Sequence, residues 1–148
     1  MNINKAYPIL KRIVTNQKPI PVHLAGPAGC GKSALVKQLA KDLDMRLLDL
    51  RVSLHPDPVD WGGICGLDNG RTVFYPPSFL PSPQDPPTII FLDEINTAPP
   101  ATQALCYQML LEHRVREHDL GKQHRFVSAG NRSQDRAIPH TMASPLVS

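Results

Sequence analysis

The sequence carries no strong excess of one charge: 16 lysines and arginines stand against 13 aspartates and glutamates across 148 residues, a net +3. So small a surplus, without a dense basic stripe, argues against a chain that grips nucleic acid through its phosphates. Cysteine is sparse as well. Cys30, Cys65 and Cys106 form an odd, scattered set with no CxxC pair, which excludes a disulfide scaffold and fits a reducing compartment. No apolar run approaches the roughly eighteen residues that a membrane-spanning helix needs. The opening Met1-Asn2-Ile3-Asn4-Lys5 lacks the apolar stretch of a secretion signal. A cytoplasmic protein without membrane contact is the expectation, and no internal repeat breaks it into smaller units.

What the sequence does hold suits one folded unit. Hydrophobic residues make up 41% and charged residues 20%, enough at this length to bury about two-thirds of the unfolded surface. Proline is plentiful but uneven, with ten of the sixteen between Pro56 and Pro100. Residues Asn4 to Lys18 read as a helix carrying Leu10, Ile13 and Val14 on one side, although Pro8 sits early in it. Ile20 to Ala25 reads as a short strand. Leu35, Val36, Leu39, Ala40 and Leu43 then recur at helical spacing, so a helix should run from Ser33 to about Asp44. Leu47 to Val52 is a second strand. The stretch from His55 to Pro87 shows no sustained periodicity and reads as an irregular excursion.

Thr88-Ile89-Ile90-Phe91-Leu92 is a continuous apolar run of the kind that forms a strand buried on both faces. Ala101 to Glu112 reads as a helix with Leu105, Met109 and Leu110 on its apolar side. Arg114 to Phe126 reads as a hairpin turning near Gly121, leading into a last strand over Phe126 to Ala129. Strands and helices alternate, which predicts an α/β fold around a mostly parallel sheet.

The strongest signal is Gly26-Pro27-Ala28-Gly29-Cys30-Gly31-Lys32-Ser33, a match to G-x-x-x-x-G-K-[ST] at every specified position. A glycine-rich loop at this spacing can wrap backbone N–H groups around a phosphate, and the helix that follows adds the positive end of its dipole. Lys32 would reach the β- and γ-phosphates as a point charge, and Ser33 would offer its hydroxyl to Mg²⁺. The strand before the loop and the amphipathic helix after it are the context the mechanism requires. Gly26 to Ala34 is therefore read as a nucleotide-phosphate site.

Asp93 and Glu94 follow directly on the apolar run. In a parallel sheet the carboxyl ends of the strands form the ligand edge. Asp93 is thus expected near the phosphate loop, holding the Mg²⁺ shell, with Glu94 placed to polarise an attacking water as general base. Asn131 follows the last strand, 37 residues after Glu94. Its amide could bond a γ-phosphate or the attacking water, although by itself an asparagine after a strand is more often a turn residue.

These blocks, in this order, resemble the AAA+ ATPases, with GPAGCGKS as Walker A, IIFLDE as Walker B and SAGN as sensor 1. The finer match resembles the MoxR-like, dynein-related branch. It rests on Asp57-Pro58-Val59-Asp60-Trp61-Gly62-Gly63, on Asp93-Glu94-Ile95-Asn96 with Pro99-Pro100, and on Leu111-Glu112-His113-Arg114-Val115. Ala129-Gly130-Asn131-Arg132 with Asp135 and Ser144-Pro145-Leu146 completes it. The resemblance implies a P-loop NTPase three-layer sandwich. It also implies ATP and Mg²⁺ as ligands, hydrolysis at a subunit interface, and a homo-oligomeric ring, usually a hexamer, that remodels an unidentified protein client. It assigns Lys32 and Ser33 to phosphate and metal, Asp93 to Mg²⁺, Glu94 to water activation and Asn131 to sensing the γ-phosphate.

The organisation that follows is an N-terminal helix (1–18), a Walker A half (19–54), the proline-rich excursion (55–87) and a Walker B and sensor 1 half (88–148). In this family a fifth core strand, an arginine finger and a helical lid lie downstream of a segment like Ser144-Pro145-Leu146. A core without the lid, and slow turnover by the isolated chain, are expected. Arg132 and Arg136 are the nearest arginines, and nothing in the sequence makes either a substitute.

Two other functions share the phosphate loop: a small-molecule P-loop kinase and a non-catalytic nucleotide-binding module. A kinase does not need Glu94 and Asn131 at strand tips, and no arginine-rich lid segment is present. A GTPase fits poorly, since Asp93 is followed by Glu and not by DxxG. Cys106, His113, His118 and His124 do not repeat at a metal-binding spacing. Arg114, Arg116, Lys122 and Arg125 are interleaved with Glu117 and Asp119, so they read as a solvated hairpin. Trp61 fits either an anchor for the excursion or a partner contact. Cys30 contributes backbone to the loop, so its thiol is expected to stay outside the chemistry.

Overall fold

Helix α1 (Ile3–Val14) opens the chain in a computed structural model that describes residues 3–27 and 29–131. It is followed by strand β1 (Val22–Ala25), helix α2 (Lys32–Asp42) and strand β2 (Arg46–Arg51). The first helix and strand come out shorter than their sequence patterns suggested. Asn16 to Lys18 lie beyond the end of α1, where the Arg125 guanidinium donates to the carbonyls of Val14 and Asn16.

Strand β5 (Thr88–Asp93) and strand β8 (Arg125–Gly130) complete a four-stranded sheet ordered β1-β8-β5-β2, with every pairing parallel. The reason β5 lies inside the sheet is legible in its residues. Ile89 and Phe91 pack on one face with Leu10, Val14, Leu35, Val36 and Leu39 of α1 and α2. Ile90 and Leu92 pack on the other with Met109 and Leu110 of helix α4 (Pro100–Glu112). A strand alternating between two helical layers must be apolar throughout. The result is the three-layer α/β sandwich of a P-loop NTPase, as expected.

The proline-rich stretch departs from its irregular reading. A short helical turn α3 (Val59–Gly62) leads into an antiparallel hairpin of β3 (Ile64–Asp68) and β4 (Arg71–Tyr75). Its two-residue turn is Asn69-Gly70, with φ of 51° and 75°. Both residues are left-handed, as a type I′ turn needs, and Asn-Gly is the strongest short-range signal for it. That signal was present in the sequence. The prolines on either side masked it, because no apolar alternation flanks the turn: Ile64 and Leu67 are both exposed.

The excursion is nevertheless anchored. Trp61 is fully buried and donates its ring N–H to the His55 carbonyl at 2.7 Å, with Phe79 edge-on at 5.7 Å. Of its two readings, the anchor holds. His124 fixes the far end: it accepts the Thr88 N–H at 3.2 Å on Nδ1, so its Nε2 carries the proton donated to the Ser82 carbonyl at 2.9 Å.

A second correction concerns the small hairpin after α4. Strands β6 (Arg114–Val115) and β7 (His118–Asp119) turn at Arg116-Glu117, not at Gly121, with Arg116 itself left-handed at φ 53°. Gly121 belongs to the connection that follows. Arg116 to His118 grip one residue of the larger hairpin. The Arg116 guanidinium sits 4.1 Å over the Phe74 ring, Glu117 accepts the Phe74 N–H, and His118 Nε2 contacts the Phe74 carbonyl.

Candidate phosphate-loop site

The carboxyl ends of the four parallel strands lie along one edge. The pairing aligns Arg51 with Asp93, Leu92 with Ser128, and Ala25 with Gly130. The chain therefore leaves β1 into the glycine loop, β5 into Glu94, and β8 into Asn131 at one level. The edge encloses a cavity of about 420 Å³ lined by Gly29, Gly31, Lys32, Ser33 and Ala34, by Asp93, Glu94, Asn96 and Thr97, and by Gly130 and Asn131. Strand β8 intervenes between β1 and β5, so Asp93 faces the loop across the cavity from two strands away.

Among the residues singled out in the sequence, Gly29, Gly31, Lys32, Ser33, Ala34, Asp93, Glu94 and Asn131 line this space. Gly26, Pro27 and Cys30 belong to the loop without lining it. Ala28 lies outside the described residues, as do Arg132, Asp135, Arg136 and Ser144-Pro145-Leu146. The loop geometry depends on Gly29 and Gly31, whose φ angles of 79° and 96° favour glycine. The Gly26 N–H donates to the Gly130 carbonyl at 3.3 Å, tying the start of the loop to the end of β8.

Lys32 begins α2 and is buried, at 8% exposure. Its ammonium donates to the carbonyls of Gly26 at 2.6 Å and Pro27 at 3.0 Å, with the Cys30 sulfur at 3.8 Å. A buried cation is costly unless hydrogen-bonded, and the loop carbonyls supply those bonds. Beside it, His23 on β1 pairs through Nδ1 with the Ser128 hydroxyl at 2.9 Å. Burial, with the nearby Lys32 ammonium, lowers its pKa to about 4. A group depressed in this way favours the folded state while neutral. Its contribution is present above the unfolded value near 6.5 and is lost as pH falls from there to about 4. Replacing His23 with glutamine should therefore flatten the acid limb of the stability curve by about 2–3 kcal/mol, measured as denaturant midpoints at pH 7 and pH 4.

Asp93 ends β5 and accepts the Glu94 N–H at 2.9 Å. Burial raises its pKa. The Glu94 N–H opposes that shift, the Glu94 and Asp49 carboxylates add to it, and Arg51 counters them. Glu94 adopts a left-handed backbone, φ 58°, that glutamate seldom takes, and the 3-10 turn Ile95–Thr97 follows at once. The Thr97 hydroxyl holds that bend through the Glu94 carbonyl at 2.7 Å. The Glu94 carboxylate accepts a hydrogen bond from the Ser53 hydroxyl, which lies just past the end of β2.

Ser53 and Thr97 were not singled out in the sequence, and Asn96 entered there only within the stretch Asp93-Glu94-Ile95-Asn96, with no role of its own. The signal available for Ser53 was its place directly after the strand read over Leu47 to Val52, at the carboxyl edge of the sheet; its pairing with Glu94 was not legible. Nothing in the residue pattern flags Thr97, and nothing there gives Asn96 its bond to Asn131.

The histidines near α4 serve the fold. His113 bonds the His124 carbonyl at 3.0 Å and stands edge-on to Phe126 at 4.7 Å. Burial pushes the Cys106 thiol up to about 12, which keeps it unreactive. Among the described residues no helix is long and apolar enough to cross a membrane.

Comparison with known proteins places this geometry. The 19% identical structure described as a putative ATPase from Cytophaga hutchinsonii superposes with a TM-score of 0.61, over 93% of this chain and 42% of that one. The RuvB Holliday junction branch migration motor of Thermotoga maritima, 21% identical, superposes with a TM-score of 0.57 over 90% of this chain and 39% of its own. Both likenesses concern the fold. In sequence, 90 residues are 34% identical to the protein named Putative chaperone BssE of Thauera aromatica, covering 60% of this chain. The match spans 32% of that relative's length. A profile of the AAA domain, dynein-related subfamily, matches residues 21–137. The chain belongs to the dynein-related AAA family of nucleotide-binding ATPases.

Proposed function

We propose that the chain binds ATP with Mg²⁺ in the cavity at the carboxyl edge of the sheet and hydrolyses it slowly on its own, as one subunit of a remodelling ring. The observation that carries this reading is the convergence of Lys32, Ser33, Asp93, Glu94 and Asn131 on one space of about 420 Å³. Loop N–H groups and the start of α2 would receive the phosphates, with Lys32 turning from the carbonyls of Gly26 and Pro27 to the β- and γ-oxygens. A second cavity of about 320 Å³ shares Gly31 and Ala34 with the first and is walled by Tyr7, Pro8 and Leu35, with Asn4 and Gln38 at hand. The base and ribose would extend into it.

Ser33 and Asp93 present a hydroxyl and a carboxylate, the hard oxygen donors Mg²⁺ takes. The Glu94 and Asp49 carboxylates lie close enough to act on Asp93, and a divalent ion would offset the repulsion among them. The ion, held by Ser33 and Asp93, would neutralise charge that develops on the phosphate oxygens. Glu94 would accept the proton of the attacking water, and Asn131 would hold the γ-phosphate or that water by its amide.

Lys32 is the one cation among the described residues lining the cavity. A second positive group for the γ-phosphate would have to come from outside them, and such an arginine contributes about 10³–10⁵ in rate. The purified chain is therefore expected to bind ATP yet release phosphate far below the about 10 s⁻¹ typical of enzymes. Phosphate release measured at saturating ATP checks this, and fast turnover would contradict it.

A further inference from the structure

Asn96 is 2% exposed, and only a polar partner justifies burying an amide so completely. It lies in the 3-10 turn immediately after Asp93 and Glu94. Its Nδ2 donates to the backbone carbonyl of Asn131 at 3.2 Å, across to the tip of the neighbouring strand β8. The contact is close on its other side too. A Cβ at Gly130 would stand 2.7 Å from Asn96 Oδ1, so the amide is seated directly against the residue preceding Asn131. Gly130 is itself held on its far side, where its carbonyl accepts the Gly26 N–H of the phosphate loop. The tip of β8 is thus fixed between the phosphate loop and the turn that carries the acidic pair. The Asn96 amide thus ties the Asn131 backbone to the turn that carries Asp93 and Glu94.

We propose that Asn96 is a positioning residue, whose amide sets the Asn131 side chain relative to Asp93 and Glu94 so that it distinguishes ATP from ADP. The proposal rests on Asn131 contacting the γ-phosphate. Asn96 borders the same cavity, but its amide donates to the Asn131 carbonyl. It acts through the carbonyl of the residue that contacts the nucleotide.

The test is the ratio of ADP to ATP dissociation constants, measured by titration at pH 8 for wild type, Asn96→Asp, Asn131→Ala and the double variant. Asn96→Asp keeps the shape but replaces the donor with a carboxylate facing a carbonyl. Its expected effect is a loss of ATP preference of about tenfold, one hydrogen bond's worth. ADP affinity should stay within about twofold, since the phosphate loop is untouched. Asn131→Ala should lose the same preference, and the double variant should lose no more.

An unchanged ratio in Asn96→Asp beside a collapsed one in Asn131→Ala would overturn the proposal. If Asn131→Ala itself kept the wild-type ratio, the γ-phosphate reading of Asn131 would fail, and the proposal with it. Should Asn96→Asp not fold, the wild-type side-chain amide signals of Asn96 decide by NMR. They must move on adding ATP and not on adding ADP, and equal shifts with both nucleotides would refute the coupling.

Discussion

Replacing Lys32 with alanine should weaken ATP binding by roughly 10- to 150-fold, the worth of about 1.5–3 kcal/mol for a charge-assisted hydrogen bond. The ammonium is buried and, among the described residues, is the cation lining the cavity. The phosphates would lose this fixed positive partner while the loop N–H groups remained. The substitution also strips the Gly26 and Pro27 carbonyls of a donor, so the change in loop stability must be measured separately. Thermal unfolding without nucleotide serves, because a loop effect appears there and a phosphate effect does not. Affinity equal to wild type would mean that the nucleotide, if it binds, binds elsewhere.

Replacing Glu94 with glutamine should leave ATP affinity within a few-fold and lower the rate of hydrolysis by about 10²–10⁴, the usual contribution of a general base. The substitution is nearly isosteric. A glutamine can still meet the Ser53 hydroxyl that now donates to the carboxylate, so the strained bend at φ 58° should survive. What disappears is the ability to take a proton. Because the wild-type rate is expected to be low, the comparison is made in single turnover with radiolabelled ATP over hours. The variant should hold ATP intact while wild type accumulates ADP. Equal rates would remove Glu94 from the chemistry, and a phosphorylated small acceptor would point to the kinase alternative.

Much of this fold could be read from the residues, for reasons that differ by element. The run Thr88 to Leu92 has one structural solution, since five consecutive buried positions cannot face solvent on either side of a sheet. The loop Gly26 to Ser33 was legible because its chemistry restricts residue type position by position. The β3–β4 hairpin was not, although Asn69-Gly70 announces its turn. Its strands bury little, so they carry no alternation of apolar and polar residues to read. The turn at Arg116-Glu117 was misplaced to Gly121 because glycine is the usual occupant of a left-handed position, and here arginine takes it.

The partners of the site were harder still. Ser53 and Asn96 matter through long-range neighbours, 41 and 35 residues away in sequence. Only the order β1-β8-β5-β2 brings those neighbours together. Composition and local spacing hold no trace of strand order.

The most direct test of the central claim is a ¹⁵N NMR titration of the protein with ATP and Mg²⁺. The backbone amides of Gly29 to Ser33 are expected to shift most, followed by those of Glu94, Asn96 and Asn131, while the amides of β3 and β4 stay still. Shifts confined to other residues, or none at saturating ATP, would contradict that claim.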